Sequence, residues 1–128
     1  MKKSLSLEVR YAETDAMGVV HHSSYAIWFE LARVNWLKEH GLPYDQMERE
    51  GFYVPVLELT IRYHQPAHFG ETLTIETEAK AKSGAQFCFV YKILHKSQLI
   101  AEGESTHVVT TREGRPMRLP PEISAILD

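Results

Sequence analysis

Apolar and polar residues alternate along the second half of the chain, and this pattern predicts β-strands. Between residues 72 and 82, leucine, isoleucine, threonine and alanine occupy the odd positions, while threonine, glutamate and lysine occupy the even ones. A period of two residues is typical of a strand with one buried face. Further strands are predicted over 86–96 and 99–112, and residues 52–63 form another β-rich segment. Pro55 indicates that this last segment is an edge strand or contains a bulge, because proline cannot donate to a central ladder.

One segment of the first half has helical spacing instead. Residues 5–11 alternate and predict a first strand. From Tyr25 to Leu37, aromatic and aliphatic residues cover more than one face of a helix, so we expect this helix to be buried around most of its circumference. Ser23 or Ser24 is the expected N-cap, and Gly41 is the expected end of the helix.

The order of predicted elements is a strand, a long helix and then four long strands. Tight turns are predicted at 83–84, 97–98 and 113–114, and short helices over 43–50 and 120–128. Strands joined by hairpin turns after a single helix argue for an α+β protein with a largely antiparallel sheet that curls around the helix. Such a sheet leaves edges exposed, and pairing with a second copy of the chain would cover them.

Composition narrows the class of protein. The chain has 128 residues, which we assign to one domain over 1–128. Its 44% hydrophobic and 24% charged residues are typical of a folded globular protein. A formal net charge of −3 argues against nucleic acid as the partner. No apolar run approaches about 18 residues, so we expect no stable membrane insertion.

Cysteine and histidine usage excludes several kinds of site. Cys88 is the only cysteine, so there is no intrachain disulfide framework and no Cys-rich zinc site. We expect it to be a buried, unreactive thiol, and a lone thiol favours a cytoplasmic location. The side chains of His21 and His22 diverge from a strand-like or helical backbone, so these neighbours do not predict a metal site. No Gly-x-Ser-x-Gly nucleophile motif is present.

Asp15 is the candidate catalytic residue. It lies in a loop that contains Gly18, directly before the start of the long helix. A helix start presents free backbone N–H groups that can hold an oxyanion. A carboxylate beside such a site can attack an acyl carbonyl as a nucleophile or activate water as a general base. An Asx-turn, in which the same carboxylate only organises its own loop, remains the alternative.

Several motifs resemble one family of enzymes. Arg10-Tyr11, the run TDAMGVVHHSSY and the continuation WFELAR are similar to the signature of hotdog-fold acyl-CoA thioesterases. The branch is the 4-hydroxybenzoyl-CoA thioesterase family, which includes the short-chain acyl-CoA thioesterases of bacterial cell-envelope operons. The similarity continues through GLPY, TIRYHQPAHFGETLTI and EGESTHVVTT. The resemblance implies a hotdog fold, in which an antiparallel sheet wraps around one long central helix.

The resemblance also implies roles for individual residues. Asp15 takes the position of the catalytic carboxylate, and His22 that of the residue whose backbone N–H polarises the thioester carbonyl. The residues expected to contact the substrate are Val19, His21, Ser23, Ser24 and Tyr25. The chain departs from the family pattern at two places: the pair Ser23-Ser24 stands where many members carry a small residue followed by asparagine, and His21 stands where an aromatic residue is often found.

The expected function is hydrolysis of an acyl-CoA thioester to a carboxylic acid and free CoA. The resemblance implies no cofactor and no metal, and an acyl pocket at the subunit interface of a homodimer or homotetramer. Two alternatives remain open. One is a hotdog hydratase or dehydratase, which needs a histidine and a carboxylate meeting across the pocket, as His22 and Asp15 loosely allow. The other is a non-catalytic module that binds acyl-CoA.

Overall fold

Five strands and three helices follow one another in the predicted order. The computed structural model describes all residues from Met1 to Asp128. The strands are β1 (Lys3–Glu8), β2 (Val56–Tyr63), β3 (Thr72–Ala81), β4 (Gln86–His95) and β5 (Gln98–Val108). The helices are α1 (His22–Glu39), α2 (Tyr44–Arg49) and α3 (Pro121–Ser124). None of these helices is both long enough and apolar enough to cross a lipid bilayer.

The five strands form a single antiparallel sheet in the order β1-β3-β4-β5-β2. The strands β3, β4 and β5 occupy the middle, and β1 and β2 form the two edges. In β3, Leu73, Ile75, Thr77 and Ala79 are buried, so the face predicted from the alternation is confirmed. Pro55 directly precedes β2, which agrees with the predicted edge position.

Helix α1 packs against one face of this sheet and supplies much of the core. Trp28, Phe29 and Trp36 are almost completely buried. Phe29 lies so close to β5 that a Cβ atom on Gly103 would sit 2.5 Å from its ring. Glycine is therefore needed where the strand passes under the helix. The predicted α+β hotdog architecture, a sheet around one central helix, is confirmed.

Several boundaries differ from the sequence predictions: β2 begins at Val56 instead of residue 52, β5 ends at Val108 instead of residue 112, and three further differences have a local cause. The first strand ends at Glu8 instead of residue 11, because a single 3-10 turn, Tyr11–Glu13, follows it. The N-cap of α1 is His21 and not a serine: its Nδ1 atom accepts a 3.2 Å hydrogen bond from the Ser23 amide. The turn between β4 and β5 is centred one residue earlier than predicted, on Lys96 and Ser97, which adopt φ angles of 49° and 68°. Positive φ at both central residues is typical of the turns that match strand twist.

Strand β2 is the least covered element of the sheet. Almost all of its residues are exposed, on both faces. Leu59 and Tyr63 pair with the buried residues Ser105 and Ala101 of β5, so they belong to the helix-facing side, yet they are 40% and 50% exposed. The helix therefore does not cover this end of the sheet, and the strand's outer edge has no neighbour.

Candidate active site

The loop before α1 holds Asp15 in an Asx-turn. The Asp15 Oδ1 atom accepts a 2.8 Å hydrogen bond from the Met17 amide and a longer one, 3.4 Å, from the Val19 amide. Gly18 closes the loop with a φ of 81°, a conformation that glycine adopts without strain. The Oδ2 atom accepts no hydrogen bond from the chain, and the residue is only half-buried. One carboxylate oxygen therefore organises the loop, while the other is free for chemistry.

Glu13 ties this loop to the long helix. Its Oε1 atom accepts from the Arg10 amide at 2.8 Å, and its Oε2 atom accepts from Trp28 Nε1 at 2.7 Å. Its carbonyl accepts from the His21 amide at 2.8 Å and from the Ser24 hydroxyl at 3.3 Å. Burial by itself raises the pKa of the Glu13 carboxyl, but these donors outweigh it and hold the pKa below its ordinary value. The side chain is therefore an ionised anchor.

The start of α1 offers one free backbone donor. The His22 amide has no hydrogen-bond partner in the chain, whereas the next amide, of Ser23, is already bound by His21. A free N–H at a helix N-terminus, where the dipole is positive, suits a carbonyl oxygen that gains negative charge. The structure thus presents this N–H at the residue that the sequence resemblance singled out.

A cavity of about 320 Å³ lies beside this helix start. Its walls are Val20, His22, Tyr25, Tyr63, His64, Gln65 and Pro66. The two sides are joined directly, because the Tyr63 hydroxyl donates a 3.2 Å hydrogen bond to the His22 carbonyl. The rings of Tyr25 and Tyr63 meet edge to face, with centroids 5.2 Å apart. Burial raises the pKa of Tyr25 to about 12, so its phenol stays neutral.

Two of the predicted site residues, His22 and Tyr25, line this cavity. Asp15 and the other four predicted residues do not line it within one chain. Ser24 is buried against Glu13, whereas the exposed side chains of His21 and Ser23 hydrogen-bond to each other at 2.8 Å. Their predicted contacts with substrate remain predictions.

The opposite wall was not singled out from the sequence. His64 lies directly after β2, and its Nε2 atom is 2.7 Å from Oε2 of Glu102 in β5. The two residues are 38 positions apart. The run RYHQP was visible as part of the family resemblance, but only the pairing of β2 with β5 brings the histidine to a carboxylate.

The remaining titratable candidates have structural roles. His107 is fully buried, its Nε2 atom lies 2.7 Å from the Ser105 hydroxyl, and burial lowers its pKa to about 4. Burial also raises the pKa of the Cys88 thiol, as expected for an unreactive cysteine. No three histidine, cysteine, aspartate or glutamate side chains are grouped so that they could hold a metal ion.

Comparison with known proteins identifies the family. The model of the thioesterase-like superfamily matches residues 9–127, and the chain belongs to this superfamily. It is 36% identical over 108 residues to YneP of Bacillus subtilis, covering 84% of this chain and 78% of YneP. It is 32% identical over 121 residues to the acyl-CoA thioester hydrolase YbgC of Escherichia coli, covering 93% and 90% of the two chains. Among solved structures, the DHNA-CoA thioesterase of Staphylococcus aureus superposes with a TM-score of 0.86 at 31% identity, over 91% of this chain and 80% of that one.

Proposed function

We propose that the chain hydrolyses an acyl-CoA thioester to a carboxylic acid and free CoA. The observation that carries this proposal is the loop in which Asp15 keeps one free carboxylate oxygen, tied through Glu13 to a helix whose first amide, of His22, is unpartnered. The activity named for YbgC, acyl-CoA thioester hydrolysis, supports it.

The reaction follows from these groups. The thioester carbonyl oxygen accepts a hydrogen bond from the His22 amide, which stabilises the negative charge that develops on that oxygen. The free oxygen of Asp15 either takes a proton from the attacking water or attacks the carbonyl carbon itself. The carbon–sulfur bond then breaks, and its electron pair leaves with the sulfur of CoA. Tyr25 and Tyr63 provide an enclosing wall for the acyl group.

The proposed enzyme is a homodimer that is formed through the β2 edge, with two dimers pairing into a homotetramer. Leu57 and Leu59 of β2 and Ile27 of α1 are all at least 40% exposed. Two copies of an edge strand pair antiparallel about a two-fold axis. That pairing sets the Val56 end of the second copy beside Tyr63, which lines the cavity, so the second copy completes the acyl pocket.

Two other features complete the proposal. The substrate-contact roles of Val19, His21, Ser23 and Ser24 belong to the assembled site, in which a bound acyl-CoA passes over the loop and the helix start. We place the enzyme in the cytoplasm, and the free Cys88 thiol fits this location.

A hydratase or dehydratase is the second candidate, because His64 and Glu102 form a histidine–carboxylate pair at the cavity. The two activities give different products. Hydrolysis releases a thiol that reacts with a disulfide reagent, whereas hydration of an enoyl-CoA removes its ultraviolet absorbance and releases no thiol.

The decisive experiment is thiol release from a panel of short-chain, long-chain and aromatic acyl-CoAs by wild type and Asp15→Asn. We expect the variant to keep its fold and to lose at least about 100-fold in kcat/KM, the usual scale for a lost base or nucleophile. Asp45→Asn is the matched control, because Asp45 is an exposed carboxylate that pairs only with Arg49 in α2. A kcat/KM for Asp15→Asn within about threefold of wild type would contradict a catalytic carboxylate. Tight acyl-CoA binding by wild type without thiol release would instead indicate the non-catalytic module.

A further inference from the structure

The cavity contains a second acid–base group that the mechanism above leaves unused. His64 lines the same cavity as His22, and its Nε2 atom lies 2.7 Å from Oε2 of Glu102. The His22 ring stacks near His21, with centroids 4.2 Å apart, and has no carboxylate partner. His64 is therefore the only imidazole in the cavity wall that a carboxylate orients.

The backbone around His64 is fixed from two sides. The amides of His64 and Gln65 both donate to the Ile100 carbonyl, at 2.9 and 3.1 Å. The preceding residue, Tyr63, pairs with Ala101 and donates its hydroxyl to the His22 carbonyl. The backbone of His64 is therefore held in the cavity wall that His22 also lines, and the register of β2 on β5 places Glu102 beside the imidazole.

A carboxylate on one ring nitrogen fixes the orientation of an imidazole. Glu102 accepts from Nε2, which leaves Nδ1 to exchange a proton with a bound substrate. Both side chains are partly exposed, at 39% and 36%, so water reaches the pair. The geometry is that of an oriented imidazole in the wall of the cavity beside the helix start.

We propose that His64 is a catalytic residue that protonates the sulfur of the leaving CoA, and that Glu102 is its positioning residue. This proposal rests on the thioesterase function proposed above. Water attacks the thioester carbon and gives one proton to Asp15. When the carbon–sulfur bond breaks, its electron pair stays on sulfur, and the His64 imidazolium transfers a proton to that sulfur. The proton held by Asp15 then returns to His64 through water.

The same role applies if Asp15 is the nucleophile. In that case His64 protonates the sulfur as the acyl-Asp15 anhydride forms. Neutral His64 then accepts a proton from the water that hydrolyses the anhydride. Each cycle consumes one water and restores both side chains, so the step needs no further reactant.

The test compares two leaving groups on one acyl chain: CoA, an alkyl thiol that gains from protonation, and 4-nitrothiophenol, whose thiolate is stable without it. We expect His64→Gln to lower kcat at least about tenfold for the CoA thioester and less than about threefold for the aryl thioester. Glu102→Gln should give the same selective loss, smaller in size. The KM for the CoA thioester should stay within about twofold in both variants, because the lost interaction acts in the transition state.

His68 is the matched control. It lies on the same loop, its Nδ1 atom is 3.5 Å from Oε1 of Glu71, and it does not line the cavity. His68→Gln should leave both substrates unaffected. Equal losses of kcat for the two leaving groups, or a rise in KM alone, would overturn the role of His64 as proton donor. Unchanged rates in both His64→Gln and Glu102→Gln would overturn it as well. If wild type releases no thiol from either ester, the proposed thioesterase function fails instead.

Discussion

The indole Nε1 of Trp28 donates a 2.7 Å hydrogen bond to Oε2 of Glu13, and this contact joins the Asp15 loop to the middle of the long helix. Trp28 is 1% exposed, so the donor is held by the core. The proposed oxyanion donor, the His22 amide, and the proposed catalytic carboxylate, Asp15, belong to two segments. Glu13 lies two residues before Asp15, and its carbonyl accepts a hydrogen bond from the His21 amide next to the helix start. The relative position of the two proposed groups therefore depends on a residue that does not line the cavity.

Glu13→Gln should loosen this connection. Both carboxylate oxygens accept from N–H groups, Arg10 and Trp28, so an amide must turn its own NH2 towards one donor. A buried donor left unpaired costs on the order of 1–3 kcal/mol. We expect a lower melting temperature and a lower kcat, with a change at the exposed last residue of α1, Glu39→Gln, as the control.

The depressed pKa of Glu13 adds a pH dependence. A carboxyl whose pKa is lower in the folded state contributes stability above its unfolded value, here 4.5, and loses that contribution as the pH falls through the folded value. Denaturant titrations at pH 7 and pH 3 should therefore show a smaller difference between wild type and Glu13→Gln at the lower pH. An unchanged difference would mean that the charge of Glu13 does not stabilise the loop.

A proline at position 22 isolates the backbone donor. His22 is the first helical residue, its amide has no partner, and proline is tolerated there. The preceding residue, His21, already has φ −65° and ψ 141°, which a following proline favours. His22→Pro should fold and lose about 100- to 1,000-fold in kcat, the scale for one oxyanion donor. His22→Ala keeps the amide and should stay within about threefold of wild type. Equal losses in both variants would assign the effect to the imidazole.

Most of the fold was predictable from the sequence, because the spacing of apolar residues indicates which face of each element is buried. The alternation in 72–82 predicted which face of β3 is buried, and the apolar spacing of residues 25–37 predicted a helix enclosed by the sheet. The predicted N-cap was wrong because the Ser23 amide donates to the ring nitrogen of His21. The usual preference for serine at the N-cap does not anticipate this contact.

The candidate site was only partly predictable for a different reason. Asp15 and His22 are close in sequence, so their motif was visible. Tyr63 contacts His22, which is 41 residues away in the sequence, and His64 contacts Glu102, which is 38 residues away. Such contacts depend on strand register, which a single sequence does not encode locally.

Disruption of the β2 edge should separate the proposed subunits. Leu59 is 40% exposed on the helix-facing side of β2, next to the edge that has no neighbour. We expect Leu59→Asp to shift the protein to monomers at micromolar concentration and to abolish thiol release, because each pocket of the proposed dimer needs the second copy. Sedimentation velocity and the thiol assay should change together. Ser6→Lys on the opposite edge strand, β1, should leave both unchanged, and an active Leu59→Asp monomer would refute the interface-built pocket.

Stability at mildly acidic pH should depend on His107. This buried imidazole bonds Ser105, and its pKa is lowered from 6.5 to about 4, first by burial and then by the charge of Arg33. Between pH 6.5 and about pH 4, His107 is protonated in the unfolded chain but not in the folded chain. The free energy of unfolding therefore falls as the pH drops below 6.5. The expected loss from this group between pH 7 and pH 5 is roughly 2 kcal/mol. Urea titrations of wild type and His107→Gln at both pH values measure this loss of unfolding free energy. The variant should be less stable than wild type at pH 7 but should lose less stability on acidification. Equal losses of stability in the two proteins would exclude His107 as the cause.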